Sequence, residues 1–144
     1  MKVSSAAFME GARIPADFTC EGKGRSPPLS ISGIPDGARS LAIIMDDPDA
    51  PMGTWVHWVV WDIPPVAEIV EGAQGIGKEG VTSARRAGYH GPCPPPGKPH
   101  RYFFKVYALD KELSLKPGSM KPDLERAMEG HILAHAELMG TYQR

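Results

Sequence analysis

The stretch Leu41–Ile63, LAIIMDDPDAPMGTWVHWVVWDI, contains two apolar runs that are separated by a polar segment. The first run, Leu41–Met45, has no helical period, and the second, Trp55–Ile63, is rich in Trp and Val, as β-strands often are. The segment between them contains Asp, Pro and Gly, which favour turns. This stretch therefore predicts two β-strands that are joined by a turn.

The rest of the chain also favours strands over helices. Its fifteen prolines and sixteen glycines disfavour long helices and predict short strands joined by turns. A third strand is predicted at Tyr102–Leu109, and weaker patterns occur at Leu29–Ile34 and Lys2–Phe8. Between the second and third strands, Glu71–Pro99 has no regular pattern and predicts a functional loop that its prolines stiffen. The fold class predicted from these patterns is mainly β.

One helix is predicted near the end of the chain. Pro122 suits a first helical turn, the acidic residues Asp123 and Glu125 follow it, and Gly140 would end the helix. An apolar stripe at helical spacing would face the sheet; it consists of Leu124, Met128, Ile132, His135 and Leu138.

Length and charge limit the class of protein. A chain of 144 residues is typical of one domain, so residues 1–144 are predicted to form one. Sixteen basic and seventeen acidic residues give a net charge of -1 without long runs of one sign, which argues against a nucleic-acid partner. Neither a signal-peptide pattern nor a transmembrane segment occurs in the sequence. A cytoplasmic protein is therefore predicted, with no cofactor.

The two cysteines, Cys20 and Cys93, are too few and too far apart for a zinc site built from Cys pairs. For a cytosolic protein the expectation is two buried free thiols. The alternative is a disulfide between the loops around residues 20 and 93, which would be favoured in a hyperthermophile.

Three carboxylates, Asp46, Asp47 and Asp49, follow the first apolar run. If the backbone stays extended, Asp47 and Asp49 point to one side and Asp46 to the other. Like charges gathered there are costly unless positive or hydrogen-bonding groups meet them. The segment predicts either a simple turn or part of a polar site.

Two histidines and a tyrosine can join these carboxylates. His57 alternates with Trp55, Val59 and Trp61, so it lies on an apolar face and is either buried in the core or lines a cavity. His100 and Tyr102 share a face of the third strand. A carboxylate beside an imidazole orients the ring and favours its cationic form, so the group would attract an anion.

Of two glycine-rich segments, one bears on this site and the other resembles a nucleotide-binding loop. Gly88–Pro92 would let backbone N–H groups approach a ligand oxygen, and Pro94–Pro96 would stiffen the wall beside it. Gly72–Lys78 fits the first seven positions of a phosphate-binding P-loop, but Glu79 stands where Ser or Thr must contact magnesium. No helical pattern follows, so a nucleotide site is not predicted there.

Several motifs together resemble those of the phosphatidylethanolamine-binding protein family, in its shorter prokaryotic, Raf kinase inhibitor-like branch. They are Asp47-Pro-Asp-Ala-Pro51, Trp55-Val-His-Trp58, Gly91-Pro92, His100-Arg-Tyr102, Phe18–Gly22, Ser26–Leu29 and Gly130–Ala134. The resemblance implies a large antiparallel sheet packed with a smaller one, a few short helices and a pocket for phosphate-like anions. It also implies a homodimer.

The resemblance assigns the pocket residue by residue. It implies pocket positions for Asp47, His57, Gly91, Pro92, His100 and Tyr102, with Asp49 orienting them from behind and Pro51 and Trp55 at the rim. His90 departs from the small residue that relatives have at its position.

The function predicted from the sequence is binding of a small anion or a phosphorylated group, with regulation of a partner such as a protein kinase. One alternative is a serine protease inhibitor that presents the loop Gly91–Pro99, since a rigid loop loses little entropy on binding. Another is a small hydrolase with His57 or His100 as general base. No nucleophile or complete set of metal ligands can be identified in the sequence, so a protein without enzymatic activity is expected.

Overall fold

A computed structural model describes residues 1–144 and contains two antiparallel sheets. The small sheet has the order β1-β2-β5, with β1 at Lys2–Ser4, β2 at Leu29–Ser32 and β5 at Glu68–Ile69. The large sheet has the order β6-β4-β3-β7-β8, with strands β3 Ser40–Asp47, β4 Trp55–Ile63, β6 Lys78–Glu79, β7 His100–Leu109 and β8 Ile132–Tyr142. These sheets confirm the mainly β prediction and all five predicted strands.

Two helices complete the chain: a 3-10 turn at Ala16–Phe18 and the helix α1 at Lys121–Met128. Neither is long and apolar enough to cross a membrane. The large sheet is buried on both faces. One face packs against the small sheet through a cluster that includes Ile31, Ile43, Trp58 and Phe104, and the other packs against α1 through Ile44, Val59, Trp61 and Leu124.

The predicted helix is only half correct. Helix α1 begins with Pro122 in its first turn, and the Asp123 carboxylate accepts a hydrogen bond of 2.9 Å from the backbone N–H of Met120. The helix ends at Met128, and Gly130 turns the chain with a φ of 79°. The residues that follow are strand β8, so the helical stripe beyond Met128, with Ile132, His135 and Leu138, was wrongly predicted.

Strand β8 forms because β7 would otherwise have an unpaired edge. Ten residue pairs join β7 to β8, from His100 with Tyr142 to Leu109 with Ile132. Burial alternates along the end of β8, where Leu138, Gly140 and Tyr142 are buried. An apolar pattern that suits either a helix or a strand is decided here by long-range pairing.

Cys20 and Cys93 form a disulfide, with their Cα atoms 5.4 Å apart. The expectation of two free thiols was therefore wrong, and the alternative holds. The bond links the loop after the 3-10 turn to the proline-rich loop before β7. Beside it, the backbone N–H of Cys20 donates to the Pro92 carbonyl at 3.1 Å, so the two loops are joined twice.

Candidate functional site

A cavity of about 220 Å³ lies where β3 and β4 meet at their turn and β7 begins. Residues from these strand ends form one side of it, and the loop before β7 forms the other. The residues that line it are Asp47, Ala50, Pro51, Trp55, His57, His90, Cys93, Pro94, Pro95, His100 and Tyr102.

A β-bulge turns His57 into this cavity. Met45 pairs with Trp58 and Asp46 pairs with Val56, so His57 is an extra residue on β4. The bulge moves His57 away from the face of Val59 and Trp61, which pack on the helix side of the sheet. The prediction from strict alternation, that His57 shares their face, was therefore wrong.

The two buried carboxylates at the end of β3 point to opposite sides of the sheet, as predicted. Asp46 accepts a hydrogen bond of 3.1 Å from the Lys105 ammonium and forms a salt bridge of 3.0 Å with the Lys121 ammonium. Asp47 uses Oδ2 to accept a bond of 2.7 Å from Nδ1 of His100. Both carboxylates therefore have the polar partners that their burial requires.

Asp49 lies outside the cavity but helps to position the Asp47 carboxylate. It lies beyond the end of β3, and its carboxylate binds the Arg101 guanidinium through two bonds of 2.9 Å. This pairing lowers the pKa of the Asp49 carboxyl below its ordinary value. The backbone N–H of Asp49 donates to Oδ1 of Asp47 at 2.7 Å, so the turn holds the Asp47 carboxylate in position.

The two pocket histidines are both held through Nδ1. In His57, Nδ1–H donates to the His90 carbonyl at 2.6 Å, because a carbonyl can only accept. In His100, Nδ1–H donates to Asp47. The Nε2 atom of each ring is therefore the nitrogen left for a ligand.

Burial keeps His57 neutral in the pocket. Loss of contact with water lowers the pKa of His57 to about 4. The bond to the His90 carbonyl and the charge of Asp47 raise this pKa, but their effect is smaller. The hypothesis that Asp47 or Asp49 holds His57 or His100 as a cation does not apply to His57, because burial lowers its pKa and Asp47 bonds His100 instead.

Tyr102 packs between the two histidines. Its ring lies edge-on to His57, with centroids 5.3 Å apart, and near-parallel to His100, with centroids 6.5 Å apart. Burial raises the pKa of the Tyr102 hydroxyl above its ordinary value, with the charge of Asp47 adding to the effect. The hydroxyl therefore stays protonated at neutral pH and can donate a hydrogen bond.

His90 also lines the cavity, and its ring lies near-parallel to that of His57, with centroids 6.2 Å apart. Its Nδ1 accepts a hydrogen bond of 3.0 Å from the Arg86 guanidinium, so its proton is on Nε2. Burial and the charge of Arg86 lower the pKa of His90. His90 is thus a neutral donor beside the cavity.

A sequence model of the phosphatidylethanolamine-binding protein family matches residues 4–143 of this chain. The chain belongs to the phosphatidylethanolamine-binding protein family. A UPF0098 protein of Pyrococcus horikoshii is 52% identical over this whole chain, which covers 77% of that relative. A UPF0098 protein of Chlamydia muridarum is 49% identical, again over the whole chain, which covers 99% of that relative.

Solved structures of this family have the same fold. A homologue of phosphatidylethanolamine-binding protein from Chlamydia trachomatis superposes with a TM-score of 0.95 at 46% identity, with 99% of this chain and 97% of the other covered. YbcL of E. coli, described as a member of the mammalian family, gives a TM-score of 0.91 at 31% identity and covers 99% and 98% of the two chains.

Within this family fold, six of the nine residues that the sequence proposed for the site line the cavity. They are Asp47, Pro51, Trp55, His57, His100 and Tyr102. Asp49, Gly91 and Pro92 do not line it. Sequence reasoning did not assign Ala50 and Cys93, and the only signal for Cys93 was its place between the prolines of the 90s loop.

Gly91 has a structural reason to be glycine. A Cβ atom added there would lie 2.5 Å from the Phe18 carbonyl oxygen and 3.0 Å from Cα of Thr19. The loop that carries His90 and Cys93 can therefore approach the 3-10 turn only with glycine at this position.

Gly91→Ala is expected to destabilise the fold by about 1–3 kcal/mol, because the clash is with backbone atoms that must shift. Urea unfolding followed by tryptophan fluorescence measures the loss. Gly37→Ala is the matched control, since its added Cβ would meet only a side-chain atom at 3.6 Å. Equal stability of the two variants would contradict this account.

Proposed function

We propose that this protein binds a small anion, a phosphate or carboxylate group, in the cavity around His57 and His100. The observation that carries the proposal is the buried Asp47–His100 pair, which faces a cavity that also holds His57 and Tyr102. Two imidazole Nε2 atoms and a phenol hydroxyl are then available to ligand oxygens. Clusters of oriented polar groups in a concave site are typical of ligand binding.

The charges of the pocket residues explain how an anion is accommodated. The Asp47 carboxylate is engaged by Nδ1–H of His100, and burial keeps His57 neutral by lowering its pKa. An anion that enters next to Nε2 of His57 favours the protonated ring, which donates from Nδ1 to His90 and from Nε2 to the ligand. Binding therefore takes up protons.

The size of the cavity indicates what it holds. At about 220 Å³ it is smaller than the pockets of about 300–1,000 Å³ that hold drug-sized ligands. Pro51, Trp55 and Pro95 supply an apolar rim, and the Trp55 side chain is half-exposed. The cavity suits an anionic head group, and the rest of the molecule would lie over the rim.

A phospholipid head group and a phosphorylated side chain offer the same oxygens to this pocket. By masking a phosphorylated residue on a partner such as a protein kinase, this protein would regulate that partner. Calorimetric titration with phosphate, acetate and phosphoethanolamine tests the proposal. Lack of binding for all three would remove the anion pocket as the site of function.

Anion affinity is expected to rise as the pH falls from 8 to 5. The free protein holds His57 neutral because its pKa is about 4, while the bound anion raises that pKa, so protons are taken up on binding. The dissociation constant should fall by up to about tenfold per pH unit below the pKa of the bound form. Titrations of acetate or sulfate, whose own charge is constant above pH 6, measure the slope.

The control for this pH dependence is His57→Gln. Glutamine keeps a donor near the His90 carbonyl but cannot take up a proton. We expect a flatter pH profile in this variant than in the wild type. An unchanged slope would assign the proton uptake to another group, and a flat wild-type profile would contradict the imidazolium mechanism.

A second candidate function is protease inhibition by the loop Gly91–Pro99. It is favoured because covalent and hydrogen bonds hold that loop in place. Cys93 is bonded to Cys20, and the Pro94 carbonyl accepts a bond of 2.6 Å from the Arg144 side chain. Residues 95–99, which lie between these bonded residues and β7, are exposed. Incubation with a panel of serine proteases tests this function, and rapid cleavage within the loop without inhibition would exclude it.

A further inference from the structure

We propose a second ligand site in this protein, for a small phosphate monoester that carries a hydroxyl or amino group. It occupies a separate cavity of about 580 Å³ that is formed by three loops, at residues 23–26, 72–74 and 86–89, together with Glu79 of β6. No residue lines both cavities. The proposal is independent of anion binding in the first pocket.

The charge of this cavity favours an anion. Lys23, Arg25 and Arg86 line it, against the single carboxylate of Glu79. Arg25 forms a salt bridge of 2.9 Å to Glu71, which does not line the cavity, whereas Lys23 and Arg86 pair with no carboxylate. Arg86 donates one N–H to Nδ1 of His90 at 3.0 Å, so its remaining N–H groups and the Lys23 ammonium, which come from different loops, are available to a phosphate.

The walls also provide unused hydrogen-bond donors. The backbone N–H groups of Lys23, Gln74 and Gly88 donate no hydrogen bond within the chain. The hydroxyl of Ser26, which is 2% exposed, has no hydrogen-bond partner. Buried polar groups in folded proteins nearly always have partners, so this hydroxyl is an unused donor in a residue that lines the cavity.

Glu79 narrows the class of ligand. Its carboxylate lies close to Gly88, where an added Cβ would be 3.2 Å from Oε2, and it forms no salt bridge. A bare phosphate ion would leave this carboxylate unpaired beside a second negative charge. A phosphate ester with a hydroxyl or amino group can donate to Glu79 while its phosphate contacts the cations, and the volume of the cavity accommodates both parts.

This assignment also gives a role to the loop that begins at Gly72. Its glycine-rich sequence fits the first part of a P-loop, yet it carries no nucleotide site, because Glu79 replaces the hydroxyl that would contact magnesium. In the structure the start of the loop, Gly72–Gln74, lines the second cavity. Gly72 is fixed there by a bond of 2.8 Å from its N–H to the Ser26 carbonyl.

The test uses the His100→Ala variant, in which the first pocket is disabled, and glycerol phosphate as the probe. We expect calorimetry to show about one equivalent bound. Adding Arg86→Gln should weaken this binding at least about tenfold, the loss typical of one charge-assisted contact. Adding Arg85→Gln, an exposed neighbour outside the cavity, should change the affinity less than about twofold.

Two further measurements locate the probe and test the role of Glu79. Amide NMR shifts on titration should concentrate at Lys23, Gln74 and Gly88 rather than at Asp49 and Trp55 beside the first pocket. Methyl phosphate, which lacks the hydroxyl, should bind the His100→Ala variant more weakly than glycerol phosphate, and Glu79→Gln should remove that difference.

Three results would each overturn the proposal. The first is no binding of glycerol phosphate to the His100→Ala variant. The second is an equal loss of affinity in the Arg85 and Arg86 variants, which would indicate only general charge attraction. The third is a set of shifted amides that surrounds the first pocket. The second site is measured in the His100→Ala variant, and the first pocket is measured by the acetate affinity that His100→Ala removes from the wild type, so failure of one site is distinguishable from failure of the other.

Discussion

His100→Ala is expected to lower the affinity of the protein for phosphate by about thirty- to hundredfold. The variant removes one donor to the ligand and leaves the Asp47 carboxylate, 3% exposed, without the bond that His100 supplies. An unpaired carboxylate next to the bound anion repels it. A loss of about 2–3 kcal/mol is typical when one partner of a buried charged pair at a binding site is removed.

Calorimetric titration at pH 6 measures this loss, and His135→Ala is the matched control. His135 lies on β8, is exposed, and contacts Tyr107 rather than the pocket. Circular dichroism and thermal unfolding of His100→Ala must show a folded protein, since its ring is also packed near Tyr102. A folded His100→Ala variant with wild-type affinity would refute the role of the Asp47–His100 pair.

The double variant Cys20→Ser, Cys93→Ser is expected to lose about 4 kcal/mol of unfolding free energy. The disulfide closes a loop across a sequence separation of 73 residues, and the chain-entropy relation gives a loss of this size when such a loop is opened. For a chain of 144 residues, the melting temperature should fall by about 10 °C.

Urea unfolding of the wild type, with and without dithiothreitol, and of the double variant measures this effect. The reductant should destabilise the wild type toward the level of the variant and leave the variant unchanged, which is the internal control. Equal stability of all four samples would show that the disulfide adds nothing beyond the hydrogen bond from Cys20 to Pro92.

The cytoplasmic location stays a prediction. A disulfide does not contradict it, since proteins of hyperthermophiles keep disulfides inside the cell.

Patterns that depend on neighbouring residues were read correctly from the sequence. The apolar runs at Leu41–Met45 and Trp55–Ile63 are strands because their side chains suit a sheet that is buried on both faces. The face shared by Tyr102, Phe104 and Val106 follows from the two-residue period of an undistorted strand. The family motifs predicted which strand ends converge, and six proposed residues line one cavity.

Contacts between distant segments decided the rest. The unpaired edge of β7 made residues 132–142 a strand, although their apolar spacing also suits a helix. The bulge at His57 exists only because β3 and β4 pair with a shifted register, and the burial that keeps His57 neutral comes from the loop that carries His90. The disulfide joins residues 73 positions apart in the chain, and the second cavity joins the loop at residues 23–26 to loops at residues 72–74 and 86–89.

The sequence by itself therefore determined the family, the β-rich architecture and most of the residues around the first pocket, because these follow from side-chain period and local motifs. Only the tertiary structure decided whether Cys20 and Cys93 form a disulfide, whether the C-terminal segment is a helix or a strand, and which nitrogen of each histidine carries the proton. Each of these depends on which groups meet across long separations in the chain, and that is set by packing of the whole fold rather than by any local pattern.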